Sequence, residues 1–214
     1  MMIPVNGSYD PEAAKRLLAE IGFKDSNGDG MLEDAKGRPV TFALKTNADN
    51  VTRVSMANFI KDDLAKVGIR CVPTPVDFNT LVVNLRENFE YDAFLLGLSS
   101  GVPPDPGMSQ NVLRSSGLTH YWHIKQPSPE TPAEAEIDRL IAENVATLDL
   151  PARQASARRI MELWNQEVFT VWLPTVNVKV PVRNRFGNAH PVVIPHRILW
   201  NIDRVFVKTP AGRP

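Results

Sequence analysis

The chain has 214 residues with 24 basic and 24 acidic side chains, so its formal net charge is zero. This balance argues against a nucleic-acid-binding protein, which carries an excess of basic residues, and against a polybasic protein of membrane surfaces. Apolar residues make up 43% and charged residues 22%, which is typical of a globular protein rather than a disordered one.

The first hundred residues predict helices and strands in alternation. Asp10 is a helix N-cap, Pro11 takes the first helical position, and Gly22 supplies the stop. The strands show either alternating apolar and polar residues or short apolar runs. The predicted elements are a helix over 10–22, a strand over 40–45, a helix over 56–67, a strand over 69–76, a short helix over 77–85 and a strand over 92–98.

Three details refine these elements. Pro73 and Pro75 limit strand pairing and place the second strand at a sheet edge. The third strand is an almost continuous apolar run, which predicts burial on both faces. The second helix, which Gly68 ends, is expected to turn one apolar stripe inward: Met56, Phe59, Ile60, Leu64 and Val67.

Strands that alternate with helices predict an α/β fold, with a parallel or mixed sheet flanked by helices. Such sheets bind ligands beyond the carboxyl ends of their strands. The loop after the third strand, residues 99–111, is therefore the predicted ligand loop. Its residues are small and polar and its prolines stiffen it, so backbone donors can approach a ligand closely.

The second half predicts two long helices and then extended segments. Thr131, Pro132 and Glu134 form a capping box that starts one helix, and Asp149 or Leu150 opens the other. An apolar extended segment follows over residues 192–207.

Two features bear on the compartment. Cys71 is the single cysteine and is expected to be a buried, inert thiol, so it leaves the redox compartment open. The first residues contain neither a basic region nor an apolar core, so no signal peptide is expected in this chain.

The polar loop after the first helix resembles a calcium loop. Asp25, Asn27 and Asp29, followed by Gly30, match positions 1, 3, 5 and 6 of an EF-hand loop. Position 12, which needs a bidentate acid, is Lys36, so Glu33 and Asp34 would have to substitute. A solvated turn is the stronger alternative, because Asn-Gly and Asp-Gly form turns without any ion.

Residues 120–123 combine two histidines with two aromatic side chains. His120 and His123 could share a helix face and hold a transition metal, but the sequence supplies no evident third ligand. Tyr121 and Trp122 suit either a ligand cleft or core packing. No nucleophile elbow, zinc-protease motif or phosphate-binding loop is found, so the sequence does not predict an enzyme.

A set of ordered segments over residues 9–208 resembles the extracellular solute-binding proteins of family 5, which serve peptide, nickel and opine ABC transporters. The segments are residues 9–18, 22–23, 27–30, 65–69, 91–97, 136–141, 182–188 and 199–203.

The resemblance implies a lobe of the periplasmic-binding-protein type II kind, the second of two lobes around a ligand cleft. It implies that residues 8–187 form this lobe and that residues 188–208, the return segment, pack on a first lobe absent from this chain. Residues 209–214 are predicted to be a disordered tail. An aspartate after the buried strand often meets a peptide's amino terminus in this family; Gly101 stands nearer to that place here, and Asp105 lies later.

The leading hypothesis is binding of a peptide-like or other small molecule for an ABC importer, without catalysis. The permease would be reached through the full-length protein, in the periplasm or extracellular space, with membrane association through a missing N-terminal region. No cofactor is required, calcium is the candidate ion, and two copies are expected to associate through the return segment. The alternatives are a ligand-sensing domain of a transcriptional regulator and a small hydrolase. The expected ligand-binding residues are Ser99, Ser100, Gly101, Asp105, Asn111, Tyr121 and Trp122.

Overall fold

The chain forms two compact units. The sheet unit contains residues 1–99 and 115–130, and the helical unit contains residues 100–114 and 131–214. The domain boundary that the family resemblance places near residue 187 stays a prediction. A computed structural model describes residues 9–98, 105–124, 126–174, 179–192 and 200–208.

The first and third helices of the sheet unit begin where the sequence predicts, whereas the second begins at Val51, earlier than the predicted residue 56. The Asp10 carboxylate accepts the Ala13 N–H at 2.8 Å, and the Asn50 and Asp77 side chains cap the next two helices in the same way. A π-helical turn, Asn84–Asn88, continues the third helix. The helices are α1 (Pro11–Glu20), α2 (Val51–Ala65) and α3 (Phe78–Val83).

The strands of the sheet unit are parallel, as the alternation of elements predicts. They are β1 (Thr41–Asn47), β2 (Arg70–Val76) and β3 (Ala93–Phe94), and within the described residues their order is β2-β1-β3. The proline-bearing strand β2 lies at an edge, which confirms that prediction.

The expectation for the third strand is wrong in extent and burial. Only Ala93–Phe94 pairs with β1, at an edge of the described sheet, and both residues are half-buried. The Leu95 N–H still donates to the Lys45 carbonyl at 2.8 Å before the chain departs, and Leu98 is exposed. An apolar run indicates a preference for burial, but burial on both faces also needs neighbouring elements that cover them. The described residues of the sheet unit do not cover both faces of β3.

The core of the sheet unit lies between β1, β2 and α2. Leu44, Ala57 and Cys71 are buried there, which confirms the buried thiol, and burial raises the pKa of that thiol. The stripe predicted on α2 is wrong at Phe59, which is 71% exposed, because Ala57 takes the innermost position of the helix. The apolar face of α1 likewise has no buried residue.

The helical unit is built on two long helices. The predicted capping box is present, because Thr131 Oγ1 accepts the Glu134 N–H and the Glu134 carboxylate accepts the Thr131 N–H. The core of the pair contains Ala133, Ile137, Leu140, Ile141, Ile160 and Leu163. The helices are α4 (Gln110–Leu113, after a 3-10 turn over Pro106–Ser109), α5 (Pro132–Ala146) and α6 (Leu150–Glu167).

The end of the return segment pairs with the residues that directly precede this segment. Strand β4 (Phe186–Gly187) pairs with β5 (Phe206–Val207), which follows a 3-10 turn over Ile202–Arg204. The middle of the predicted apolar segment, residues 193–199, and the predicted tail, 209–214, lie outside the described residues. Among the helices that are described, none has the length and apolar character to cross a bilayer.

Candidate ligand site

The carboxyl end of β1 is a buried polar position. Thr46 and Asn47 are both buried, and Thr46 Oγ1 donates to the Leu95 carbonyl at 2.9 Å. This bond ties the end of β1 to the chain leaving β3. Polar side chains at the ligand-binding edge of the sheet therefore include the last two residues of β1, and not only the loop that follows β3.

A polar cluster continues from this strand end into α2. Arg53 Nη1 donates to Asn47 Oδ1 at 2.6 Å, and Asn47 Nδ2 donates to Asp49 Oδ1 at 2.5 Å. The guanidinium also reaches the chain after β3, because a Cβ placed on Gly97 would lie 2.6 Å from Arg53 Nη2. We call Asn47, Asp49, Arg53 and Gly97 the edge cluster.

Aromatic side chains lie beside the last strand. The ring of Phe94 meets those of Tyr91 and Tyr121 edge-on, with centroids 5.3 and 5.1 Å apart. The Tyr91 hydroxyl donates to the Tyr121 carbonyl at 3.0 Å, and burial raises the pKa of Tyr91. Trp122 is half-buried with its ring 3.9 Å from that of His120. Ligand contact by Tyr121 and Trp122 stays a prediction.

Lys45 of β1 holds the chain that precedes β3. Its Nζ donates to Asn84 Oδ1 at 2.9 Å and to the Glu90 carbonyl. Asn84 begins the π-helical turn, an element that is common near functional sites. Lys45 therefore connects β1 to two points of the chain that precedes β3, Asn84 and Glu90.

Two of the expected ligand residues belong to the helical unit. The Asp105 carboxylate accepts the Gly107 N–H at 2.8 Å and forms an ion pair with Arg153. The bond from Arg153 is the main cause that lowers the pKa of Asp105. Asn111 lies on α4 and is exposed. Ser99, Ser100 and Gly101 lie outside the described residues, so their role stays a prediction.

The candidate calcium loop is organised by its own acids. Asp25 accepts the N–H groups of Gly28 and Gly30 at 2.7 and 2.9 Å, and the bond from Gly30 is the main cause that lowers its pKa. The buried Glu33 accepts the Ser26 N–H at 2.8 Å. Asp25, Asp29 and Glu33 each offer an oxygen within 4.8 Å of the others. Internal bonds of this kind also belong to a turn without an ion.

Calcium binding at this loop stays a prediction with a direct test. If the loop binds calcium, an ion concentration a hundredfold above the Kd stabilises the fold by ~2.7 kcal/mol. In a chain of this size that is a rise in Tm of about 5–10 °C. Asp29→Ala should remove the rise, whereas Asp62→Ala, an exposed acid on α2, should keep it. Superimposable melting curves in calcium and in chelator would contradict calcium binding and show that the loop is a turn that needs no ion.

Comparison with known proteins identifies the family. The family profile described as bacterial extracellular solute-binding proteins, family 5, middle region, matches residues 2–120, more than half of the chain. The chain belongs to this family. The resemblance seen in the sequence is thereby confirmed.

Individual proteins are similar to most of the chain. A probable ABC transporter-binding protein of Deinococcus radiodurans is 32% identical over 180 residues, 79% of this chain and 30% of that protein. The oligopeptide-binding protein AppA of Bacillus subtilis is 29% identical over 203 residues, 92% of this chain and 34% of AppA. The chain therefore spans about a third of the length of these relatives.

Solved structures of binding proteins share the fold. The structure of AppA with a nonapeptide aligns with a TM-score of 0.71 at 25% identity, covering 94% of this chain and 38% of that one. A periplasmic binding protein, MelB of Agrobacterium fabrum, solved with stachyose, aligns with a TM-score of 0.69 at 24% identity, over 76% and 25% of the two chains. The α/β class expected from the sequence is confirmed.

Sequence reasoning missed the edge cluster of this family 5 chain. The predicted ligand loop after β3 includes neither Asn47, the last residue of β1, nor Arg53 on α2. A signal was available, because Asn47 and Asp49 stand where a predicted strand ends and Gly97 stands where another ends. Their meeting depends on β1 and β3 being neighbours, which the periodicity of the sequence does not fix.

Proposed function

We propose that this chain recognises a solute for an ABC importer, as part of a longer substrate-binding protein. The observation that carries the proposal is the family 5 match over residues 2–120. The carboxyl edge of the sheet supports it, because polar and aromatic side chains gather there. The names of the relatives, oligopeptide-binding protein among them, make a peptide or another small molecule the expected ligand.

Membership of family 5 also supports a proposal for the partner and for the cellular compartment. The full-length protein delivers its ligand to the importer's permease, in the periplasm or extracellular space, and its membrane association lies in a region beyond this chain. Recognition of this kind needs no bond cleavage. We therefore expect the bound solute to leave the protein unchanged.

Native mass spectrometry tests this function. The chain is mixed with a pool of peptides from two to nine residues, with the heat-unfolded chain as the control. We expect a saturable one-to-one complex that releases peptides of unaltered mass. The absence of any complex would contradict the proposal. Peptide cleavage that a single Ser, His or Asp substitution abolishes would instead favour the hydrolase alternative.

We further propose that two copies of this chain associate through the return segment. Its described part exposes large apolar side chains, and such surfaces seldom remain in water on a monomer. Strand pairing between two copies is a low-cost way to cover them. The exposed residues are Trp200, Ile202, Phe206 and Val207.

Light scattering after size exclusion should show a dimer whose share rises with concentration. Truncation after residue 187 should return the chain to a monomer, because it removes the apolar residues. A matched variant, Arg204→Gln, changes an exposed polar residue of the same segment and should still dimerise. A full-length chain that stays monomeric at high concentration would refute the association.

A further inference from the structure

Arg53 occupies an unusual position for a cation. It is half-buried near the start of α2, at the carboxyl edge of the sheet, and its side chain makes one hydrogen bond within the described residues, from Nη1 to Asn47 Oδ1. A guanidinium has five N–H donors in a rigid planar fork. Nη2 and Nε therefore keep donors that no described residue accepts.

The charge of Arg53 is also incompletely balanced. Asp49 is the acid of the edge cluster, but its described bond is to the Asn47 amide, and no described carboxylate forms an ion pair with Arg53. A partly desolvated guanidinium gains most from an oxyanion that accepts two of its donors at once. The unfilled partner is accordingly a carboxylate or an anion of the same shape.

Gly97 lets the guanidinium lie directly against the chain that leaves β3. A Cβ at this position would lie 2.6 Å from Nη2 and 3.6 Å from Cζ of Arg53. Any other residue would force the guanidinium away from the chain that leaves β3. The pair thus holds a cationic fork at the strand ends, where ligands of parallel sheets bind.

We propose that Arg53 binds a carboxylate of the solute and that the preferred ligands of this chain are anionic at that point. The inference rests on the proposed solute-binding function and adds the chemical class of group that is recognised. Asn47 positions the guanidinium through a hydrogen bond to Nη1, and Gly97, which lacks a side chain, allows Nη2 to approach the backbone closely. Asp49, held by the Asn47 amide, opposes a second anion nearby, so one carboxylate is expected for each site.

A matched pair of probes tests the assignment in the whole chain. Trialanine and trialanine amide differ in the charged carboxylate, and succinate supplies carboxylates without a peptide. Binding is followed by the Nε–Hε resonances of the arginines in a nitrogen-15-labelled sample. We expect trialanine and succinate to shift the Arg53 resonance saturably, and trialanine to bind about tenfold more tightly than the amide, the range of one charge-assisted hydrogen bond.

Three variants separate recognition from support of the fold. Arg53→Gln should bring the ratio between the two peptides to about one, because the charge and the fork are both lost. Arg53→Lys should give an intermediate ratio, since the charge remains. Arg16→Gln, an exposed arginine on α1, should keep the ratio of the unmodified chain. A residue that only supports the fold would lower Tm without changing the ratio.

The outcomes distinguish this inference from the function on which it rests. Saturable binding of trialanine and its amide with equal affinity would overturn the Arg53 assignment and leave solute binding intact. A ratio that survives in Arg53→Gln would do the same. No saturable response to trialanine, its amide or succinate would overturn both.

Discussion

Replacing Trp164 with alanine is expected to lower the free energy of unfolding by about 3–5 kcal/mol, the range for deleting a large buried aromatic side chain. Trp164 is 2% exposed on α6, and its indole Nε1 donates to Thr170 Oγ1 at 2.8 Å. Its ring also meets Phe169 edge-on, with centroids 5.9 Å apart. Alanine would leave a cavity and remove both contacts.

Urea unfolding followed by circular dichroism measures this loss. Met161→Ala is the matched control, because Met161 lies on the same helix and is 41% exposed, and it should cost no more than about 1 kcal/mol. Trp164→Phe keeps most of the volume and should fall between the two variants. Equal stabilities for Trp164→Ala and Met161→Ala would show that the helical unit does not depend on this side chain.

Replacing Gly68 with alanine is expected to lower the free energy of unfolding by roughly 2–4 kcal/mol. Gly68 has φ of +81°, a left-handed conformation that costs any other residue about 1–2 kcal/mol. A Cβ there would also lie 2.7 Å from Leu32 Cγ, and the Gly68 carbonyl accepts the Leu32 N–H at 2.7 Å. Relief of the clash would disturb the contact between the end of α2 and the loop before β1.

Gly37→Ala separates the two causes. Gly37 has φ of +74°, and a Cβ there would have no atom within 4 Å, so only the conformational cost applies. Thermal and urea unfolding of both variants should therefore give a distinctly larger loss for Gly68→Ala. Equal losses would mean that the contact with Leu32 yields at no cost.

The sequence predicted those structural features that depend on residues close together in the chain. The Asp10 cap, the Thr131 capping box and the glycine stop at Gly68 depend on neighbours within a few residues, and all are present. The edge position of β2 followed from its prolines, because a missing N–H limits pairing whatever the rest of the fold does.

Predictions that depended on distant neighbours were weaker. Helical periodicity placed Phe59 on an apolar stripe, but it could not tell which part of that stripe the sheet would cover. The apolar character of residues 92–98 likewise did not reveal that β3 would pair over two residues. The sequence alone did not indicate Arg53, because its contacts with Asn47 and Gly97 form only when β1 and β3 pair side by side.

If the carboxyl edge of the sheet recognises the solute, a bound peptide should protect the backbone there. Hydrogen exchange of the chain with and without a saturating nonapeptide measures this protection. We expect the peptide to slow exchange in residues 45–53, 91–98 and 119–124. Slower exchange confined to the opposite edge, in residues 38–41 and 68–72, or no change in any segment, would contradict it.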